Sequence, residues 1–290
     1  MDPREVDHRE IRFERPRAEK ILALGYYPAD MHFHTVHTDS TVSVRSLLKR
    51  IKKTGIGCAV TDHNEISGAL SAVSEGPGLL VIPGIEISTC DGPHILVYFY
   101  SPSDLEDFFQ KYIKPNRRES PWMLTKLTSR EILEAAEGYS CLRGAAHPYG
   151  YFMFNSGLAK CVESGFLDAS LYEQCDVIEG ICANMAHNEN LRAISLASRL
   201  GLPMTGGSDG HVIFDHGSAV SCTRSPDPQE FLDEIRKKKA VVIGRENNLF
   251  SKIITGAAIS ARFLPWFFPS VKIHYESTML RFGRFLSRRR

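Results

Sequence analysis

The seven cysteines of this 290-residue chain never fall in a Cys-x-x-Cys spacing. That spacing and odd number argue against both a disulfide framework and a cysteine zinc site, so a reducing, cytoplasmic setting is expected. The first twenty residues alternate in charge and lack an apolar run, so no secretory signal is expected there. No G-x-x-x-x-G-K-[ST] string occurs, which disfavours chemistry driven by a nucleoside triphosphate. A serine-hydrolase nucleophile is not expected either. There is no low-complexity linker and no internal repeat, and with 43% hydrophobic and 24% charged residues the composition is that of an ordinary folded protein. A chain of this length buries about three quarters of its unfolded surface without needing disulfides.

Overall charge of one sign is also missing, because two unequal parts cancel. Residues 1–244 carry 26 Lys/Arg against 32 Asp/Glu, whereas residues 245–290 carry nine against two. The main body is therefore mildly acidic, which disfavours a broad nucleic-acid surface, and the basic charge is confined to the end.

What is present is an alternation of short apolar runs with segments that repeat hydrophobic residues at three and four. The runs YYPADMHF, GCAVTD, LLVIPGIEIS, HILVYFY, YSCLRGAAH, CDVIEGI, LPMTGGSD and AVVIG read as strands. Between them VRSLLKRIKKTG, ISGALSAVSEG, SDLEDFFQKYI, SREILEAAEG, NENLRAISLASRLG and DPQEFLDEIRKKK read as helices. Ser103 followed by Glu106 fits a capping box, whereas Ser129 as a cap places Ile132 at the third position and gives none. Such a β/α rhythm predicts an α/β protein with a parallel barrel or doubly wound sheet. Pro115 and Pro121 mark residues 114–122 as a loop or insertion.

The chemistry-bearing residues gather at strand ends. His32 and His34 close the first run two residues apart, on one face of a strand, so both imidazoles can reach one metal ion. Asp39 follows in the next loop; His63 ends the second run, Glu86 the third, and His94 opens the fourth. His147 ends a later run, and Asp209 with His211 ends another. In a parallel α/β protein the carboxyl ends of the strands converge on one face. Burying so many imidazoles and carboxylates unpaired costs several kcal/mol each, a cost that bound metal ions offset.

The ordered set D-M-H-F-H-T-V-H-T-D, T-D-H-N, G-I-E, P-H-I-L, A-A-H-P and G-S-D-G-H, over roughly residues 28–245, resembles the motifs of the PHP (polymerase and histidinol phosphatase) family of metal-dependent phosphoesterases. The resemblance implies a distorted (β/α)7 TIM-like barrel with a trinuclear metal centre at the strand ends. By motif, His32, His34, Glu86 and Asp209 hold one ion, Glu86, His94 and His147 a second, and Asp39, His63 and His211 a third. Asp39 resembles the branch acting on nucleotide-type phosphoesters, and His37 reads as an additional residue of that loop outside the ligand set. Imidazoles with hard carboxylates suit manganese, iron(II) or zinc. The implied reaction is in-line attack by a metal-activated hydroxide on a phosphomonoester or phosphodiester, with no phosphoenzyme.

Asp209 and His211 are the expected catalytic members of that set. Asp62 either orients a ligand or shuttles a proton, or else caps the next turn. Arg143 is a candidate phosphate-binding cation or a plain surface charge, and Glu179 and Asn184 are candidates for a substrate-facing loop. Arg117 and Arg118 read as a solvated pair. The expected substrate is a small phosphorylated molecule, a nucleotide or an RNA or DNA end, with no stable nucleic-acid complex. The alternatives are histidinol-phosphate phosphatase and a non-catalytic metal-binding scaffold of the same fold. The expected organisation is an N-terminal extension at 1–27, the phosphoesterase domain at 28–245 and a basic, aromatic-rich C-terminal extension at 246–290.

In that extension, residues 253–271 contain one charge, Arg262, and two prolines. These interruptions disfavour a membrane span. A helix over 253–263 packed on the barrel, followed by a P-W-F-F-P turn that buries aromatic surface, is one reading. Peripheral contact with a membrane or an acidic partner is the other. The terminal arginines could also draw a polyanionic substrate toward the site.

Overall fold

A computed structural model describes residues 11–120, 122–150 and 157–287, with the backbone alone described at 274, 277 and 280–287. The strands are β1 (Ile11–Phe13), β2 (Tyr27–Phe33), β3 (Gly57–Val60), β4 (Val81–Ser88), β5 (His94–Phe99), β6 (Cys141–Ala145), β7 (Val177–Cys182), β8 (Met204–Gly207), β9 (Ala219–Thr223) and β10 (Val241–Gly244). The helices are α1 (Ala18–Ala23), α2 (Val44–Thr54), α3 (Ser67–Glu75), α4 (Pro102–Phe108), α5 (Ser129–Glu137), α6 (Leu158–Glu163), α7 (His187–Leu200), α8 (Pro228–Arg236), α9 (Leu249–Phe263) and α10 (Phe267–Ser287).

Each of the eight expected strands and six expected helices is present. Helix α2 shows the local logic: Val44, Leu47, Leu48 and Ile51 recur at helical spacing and are buried, Ser43 caps the start, and Gly55 ends the helix at φ 69°. Two caps differ from expectation. Thr128 rather than Ser129 starts α5, and its hydroxyl accepts from Glu131 N while Glu131 Oε2 accepts from Thr128 N, which makes a capping box. Ser101 rather than Ser103 starts α4, with Pro102 in the first turn.

One curled sheet has the order β1-β10-β9-β2-β3-β4-β5-β6-β7-β8. A parallel bridge between Phe33 and Gly210 brings the β2 and β8 ends together, closing the seven strands β2 to β8 into a distorted barrel. The distortion has an identifiable source. A short turn joins β4 to β5, so β5 runs antiparallel to both β4 and β6, and the sheet is not wholly parallel as the β/α rhythm suggests. Strand β9 is antiparallel to β2 and β10. Strand β1, within the expected N-terminal extension, pairs in parallel with β10.

The two faces of the sheet serve different ends. Ile82, Leu96, Tyr98, Leu142 and Val177 form one buried cluster with Phe231, Leu232 and Ile235 of α8. By strand alternation Glu86, His94 and Glu179 share the face of Ile82, Leu96 and Val177. The opposite face carries Val81, Ile85, Val97 and Cys141, packed with apolar residues of α2, α3, α4, α5 and α7. The apolar barrel interior thus ends, at one rim, in imidazoles and carboxylates.

Candidate metal centre

All nine residues of the expected ligand set meet at that rim. Glu86 is the hub. Its Oε2 lies 3.2 Å from His32 Nε2, 3.3 Å from His34 Nε2 and 3.0 Å from His63 Nδ1, and its Oε1 lies 2.9 Å from His94 Nδ1 and 3.1 Å from His147 Nε2. Asp209 Oδ1 is 3.2 Å from His34 Nε2 and 3.5 Å from His32 Nε2. Asp39 Oδ2 is 3.3 Å from His211 Nε2 and 3.7 Å from His63 Nε2.

Three groups offer donor atoms within 4.8 Å of one another: His32, His34, Glu86 and Asp209; His34, Asp39, His63 and His211; and His63, Glu86 and His94. The first matches one expected set. The second adds His34 to another, and the third has His63 where His147 was expected. His37 is half-buried and in none of the three groups.

The residues fit divalent ions on two counts. Buried His32 Nε2, His34 Nδ1, His94 Nε2, His211 Nε2, Asp39 Oδ1 and Glu86 Oε2 make no well-formed hydrogen bond, and an unsatisfied buried polar atom costs about 1–3 kcal/mol. The electrostatics also call for positive charge. Burial opposes ionisation of Glu86, Asp39 and Asp209, but the surrounding imidazoles outweigh it and hold all three carboxyls below their ordinary range. Burial disfavours charge on His211, yet Asp39 and Asp209 beside it raise its pKa to about 9. His32 and His147 are raised as well, burial again being outweighed by Glu86 and its neighbours. His63 goes the other way, to about 3, because burial exceeds the pull of Glu86 and Asp39. Protons occupy in part the role that cations would fill, so ion binding here releases protons.

Backbone geometry is bent to aim these groups. His147 and Asp209 have φ of 25° and 51°, and Asn64, next to His63, has 50°; side chains other than glycine rarely adopt such values. Asn64 is held on both sides, its Oδ1 accepting from Ser88 N and its Nδ2 donating to Met123 O.

A ring of buried groups supports the donors. Glu179 Oε1 lies 3.0 Å from His32 Nδ1, and its Oε2 accepts from His147 N at 2.6 Å. Glu179 therefore orients the His32 imidazole and holds the His147 backbone from β7, which differs from the expected substrate-facing position. Asn184 Nδ2 donates to Asp209 O at 2.6 Å, while its Oδ1 accepts from Asn247, so it steadies the Asp209 turn. Asp62 accepts from Thr35 N, Thr35 Oγ1 and Thr38 Oγ1 at 2.6–2.8 Å. It anchors the loop that carries His34 and Asp39. Burial raises its pKa, and both of its oxygens are occupied by that loop.

Arg143 does not join the site. Its guanidinium pairs with Asp176 at 2.9 Å and donates to Leu133 O, on the sheet face packed by helices and before β7 begins. Alternation along β6 points it away from the interior, so the phosphate-binding expectation for it is corrected. Arg117 and Arg118 are paired as well, with Glu65 and Glu276 at 3.0 Å each. The string Gly206-Gly207-Ser208-Asp209-Gly210 does spell G-x-S-x-G, contrary to the expectation of no serine-hydrolase signature. Ser208 is buried and its hydroxyl donates to Asp30 Oδ2 at 2.6 Å, a structural use of the serine.

Two contributions escaped sequence reasoning. Asp30, buried in β2, accepts from His32 N, Ser208 N and Gly217 N; burial raises its pKa to about 7 against those hydrogen bonds. Only its place two residues before His32 hinted at this. The other is where the expected C-terminal helix packs, at the rim beside the donor cluster. Helix α9 is tied to the barrel rim by Ser251 and Thr255, whose hydroxyls donate to Asp215, and by Arg262, which donates to Val36 O and Thr38 O. The packed helix expected over 253–263 is present and begins at Leu249. The expected P-W-F-F-P turn is a single 3-10 turn at Leu264–Trp266, and α10 resumes at Phe267. Pro269 falls in the first helical turn, where its missing N–H has no helical partner to lose. Phe268 is 82% exposed, so the aromatic surface is not all buried as expected. Pro121 and Arg288, Arg289 and Arg290 lie outside the described residues, as do the side chains of Arg281 and Arg284. No described helix is long and apolar enough to cross a membrane.

Comparison with known proteins agrees with this geometry. A family model described as PHP-associated matches residues 187–240, and no curated protein matches the chain. Among solved structures, a proposed metal-dependent phosphoesterase from Bifidobacterium adolescentis is similar over 77% of this chain and 97% of its own, with 19% identity and a TM-score of 0.50. A two-domain protein from Bacteroides vulgatus containing a predicted PHP-like metal-dependent phosphoesterase is similar over 81% of this chain and 68% of its own, at 14% identity and a TM-score of 0.55. The lesion-specific endonuclease PfuEndoQ from Pyrococcus furiosus is similar over 75% of this chain, at 17% identity and a TM-score of 0.58, and this chain spans 57% of its length. The chain has the PHP-type fold, a distorted TIM-like barrel, and carries a PHP-associated segment.

Proposed function

We propose that the chain is a metal-dependent phosphoesterase using three divalent ions, manganese, iron or zinc, held by His32, His34, Asp39, His63, Glu86, His94, His147, Asp209 and His211. The observation that carries this reading is the Glu86 carboxylate set among five imidazoles, with two further carboxylates closing three overlapping donor groups. Bound there, clustered divalent ions supply Lewis acidity toward a phosphoryl group and acidify a water. The chain's own residues do the rest. Glu179 and Asp30 hold His32, Asp62 fixes the loop bearing Asp39, and Asn184 fixes the turn bearing Asp209. Asp209 faces the cavity above the donors, where its carboxylate can hold or pass the proton that leaves the attacking water for the departing alkoxide as the P–O bond breaks, while His211, fixed by Asp209 O at its Nδ1, presents Nε2 to an ion.

The likeness to PfuEndoQ, an endonuclease, supports a nucleic-acid phosphoester as one member of the substrate class; a nucleotide and histidinol phosphate are the others on trial. The C-terminal extension, tied to the rim, belongs to this site, and its exposed apolar residues support peripheral membrane contact. The test is hydrolysis by metal-loaded protein of a panel of phosphate esters, including mononucleotides, short RNA and histidinol phosphate. Wild-type protein is expected to turn over at least one ester, with turnover lost in His32→Ala and Asp209→Ala. Retained activity in both variants contradicts the assignment.

A further inference from the structure

The cavity over the donor cluster, about 840 Å³, has a polar floor and a hydrocarbon wall. Asp39, His63, His94, His147, Asp209 and His211 form the floor. The wall is Trp122, Met123 and Leu124 on one side, and Ile259, Phe263, Phe267 and Val271 of α9 and α10 on the other. Neither Lys nor Arg is among its described lining residues. The two cations of α9 are both engaged elsewhere, Lys252 on Met185 O and Arg262 on Val36 O and Thr38 O. Of its five hydroxyl-bearing residues, Ser88, Ser260, Ser270, Tyr275 and Thr278, Ser270 already donates to Ser120 Oγ at 3.0 Å and Ser260 to Gly256 O at 2.8 Å, and Ser88 Oγ lies 3.4 Å from His63 Nδ1.

The hydrocarbon wall continues to the outside. Phe267, Val271 and Tyr275 line the cavity while remaining 56%, 51% and 66% exposed, and Leu264 and Phe268 beside them are 74% and 82% exposed. A molecule that sets a phosphoryl group on the floor must therefore lay the rest of itself along apolar side chains and out over an apolar lip. A nucleoside would lose water from its base and ribose there and gain few hydrogen bonds in return. Beyond the donor cluster, a polyanion would meet no Lys or Arg among the described lining residues. A saturated or polyisoprenoid chain gains from every methylene it brings out of water.

From this we infer that the site takes the phosphate ester of an apolar, lipid-type alcohol, with the head on the donor cluster and the chain along α9 and α10. The inference rests on the phosphoesterase reading and narrows its substrate.

Binding of non-hydrolysable alkylphosphonates, butyl to decyl and below their micelle concentrations, separates the two claims. The chain has only two tryptophans. Trp122 lines the cavity and its ring lies 6.4 Å from that of Trp266, so intrinsic fluorescence of metal-loaded full-length protein reports occupancy. The dissociation constant is expected to fall about 4-fold per added methylene, from about 0.8 kcal/mol each. A phosphonate analogue of AMP is expected to bind about 100-fold more weakly than decylphosphonate, having no chain for the wall to cover. Phe267→Ser and Val271→Ser, both at exposed positions that folding tolerates, are expected to weaken decylphosphonate about 10-fold and leave butylphosphonate within about 2-fold. Decyltrimethylammonium, with the same chain and a cationic head, is expected to bind no better than butylphosphonate. A constant independent of chain length overturns the inference, as does the AMP analogue or the ammonium compound binding as tightly as decylphosphonate. If long phosphonates bind as expected and no ester is hydrolysed, the catalytic reading fails and the ligand class stands. If esters are hydrolysed and the chain-length series is flat, the ligand class fails alone.

Discussion

Arg262 is the single charge in an otherwise apolar stretch, and the structure makes it the pin that holds the C-terminal helices over the barrel mouth. Its Nε and Nη2 donate to Thr38 O at 3.1 and 2.9 Å, and Nη2 also donates to Val36 O at 2.6 Å. The guanidinium carbon also sits 5.5 Å from the Trp122 ring centroid. A hydrogen bond from a charged donor contributes about 1.5–3 kcal/mol and a partly exposed cation–π contact about 0.5–1 kcal/mol. Because Arg262 is half-buried, water recovers part of this on truncation, and a total near 3 kcal/mol is the working figure for Arg262→Ala. That is about a 100-fold shift toward an undocked α9. The barrel keeps its own core, so the loss is local. Hydrogen exchange read by mass spectrometry is the assay. Amides of residues 249–263 are expected to exchange about 100-fold faster in Arg262→Ala, while those of β2 and β4 keep wild-type rates. Arg262→Lys, which keeps the charge and loses the planar fork, falls between. Unchanged exchange over 249–263 would refute the pin.

Two further perturbations test the supporting groups. Glu179→Gln removes the charge that orients His32 and holds the His147 backbone, and is expected to weaken divalent-metal affinity about 10–100-fold without unfolding the chain; calorimetric titration with manganese checks it, and wild-type affinity contradicts it. Buried His216, edge-on to Phe33 with ring centroids 5.4 Å apart, has its pKa lowered from 6.5 to about 3 by burial and, secondarily, by Arg50. The unfolded chain therefore binds a proton that the folded chain refuses between those values, and stability falls as pH drops from about 6.5 toward about 3. The contribution lost between pH 8 and pH 5 is about 2 kcal/mol. His216→Phe is expected to lose that much less over the same range in urea unfolding, and an identical pH dependence in variant and wild type counts against the assignment.

The strand ends were legible because imidazoles and carboxylates that terminate one apolar run after another need a partner to offset their burial. The convergence of His32, His63, Glu86, His147 and Asp209 follows once those runs share a sheet. Strand direction was less legible. Nothing in HILVYFY distinguishes β5 as antiparallel; the short turn before it does, since parallel neighbours need a longer crossover. Strand β9 (Ala219–Thr223) went unread because its Ser, Cys and Thr residues mimic a loop, and β1 because Ile11–Phe13 is three residues among charges. Arg143 was misread because alternation was followed without asking which face its strand turns inward. For the C-terminal extension, composition recorded a basic, aromatic segment, but its place as a wall of the cavity depends on long-range ties from Arg262, Ser251 and Thr255 that no local pattern encodes. The net positive charge of residues 245–290 therefore says little about the cavity itself, whose described lining carries no Lys or Arg.

The central claim is that these nine residues form one metal-binding unit organised by Glu86. The most direct measurement is the divalent-metal content of folded, dialysed protein after manganese loading, taken by elemental analysis on the wild type and on Glu86→Gln, with circular dichroism to show that both are folded. The account predicts three ions per wild-type chain and loss of at least two in Glu86→Gln, since Glu86 belongs to two of the three donor groups. A folded wild-type chain that retains no divalent ion would contradict it.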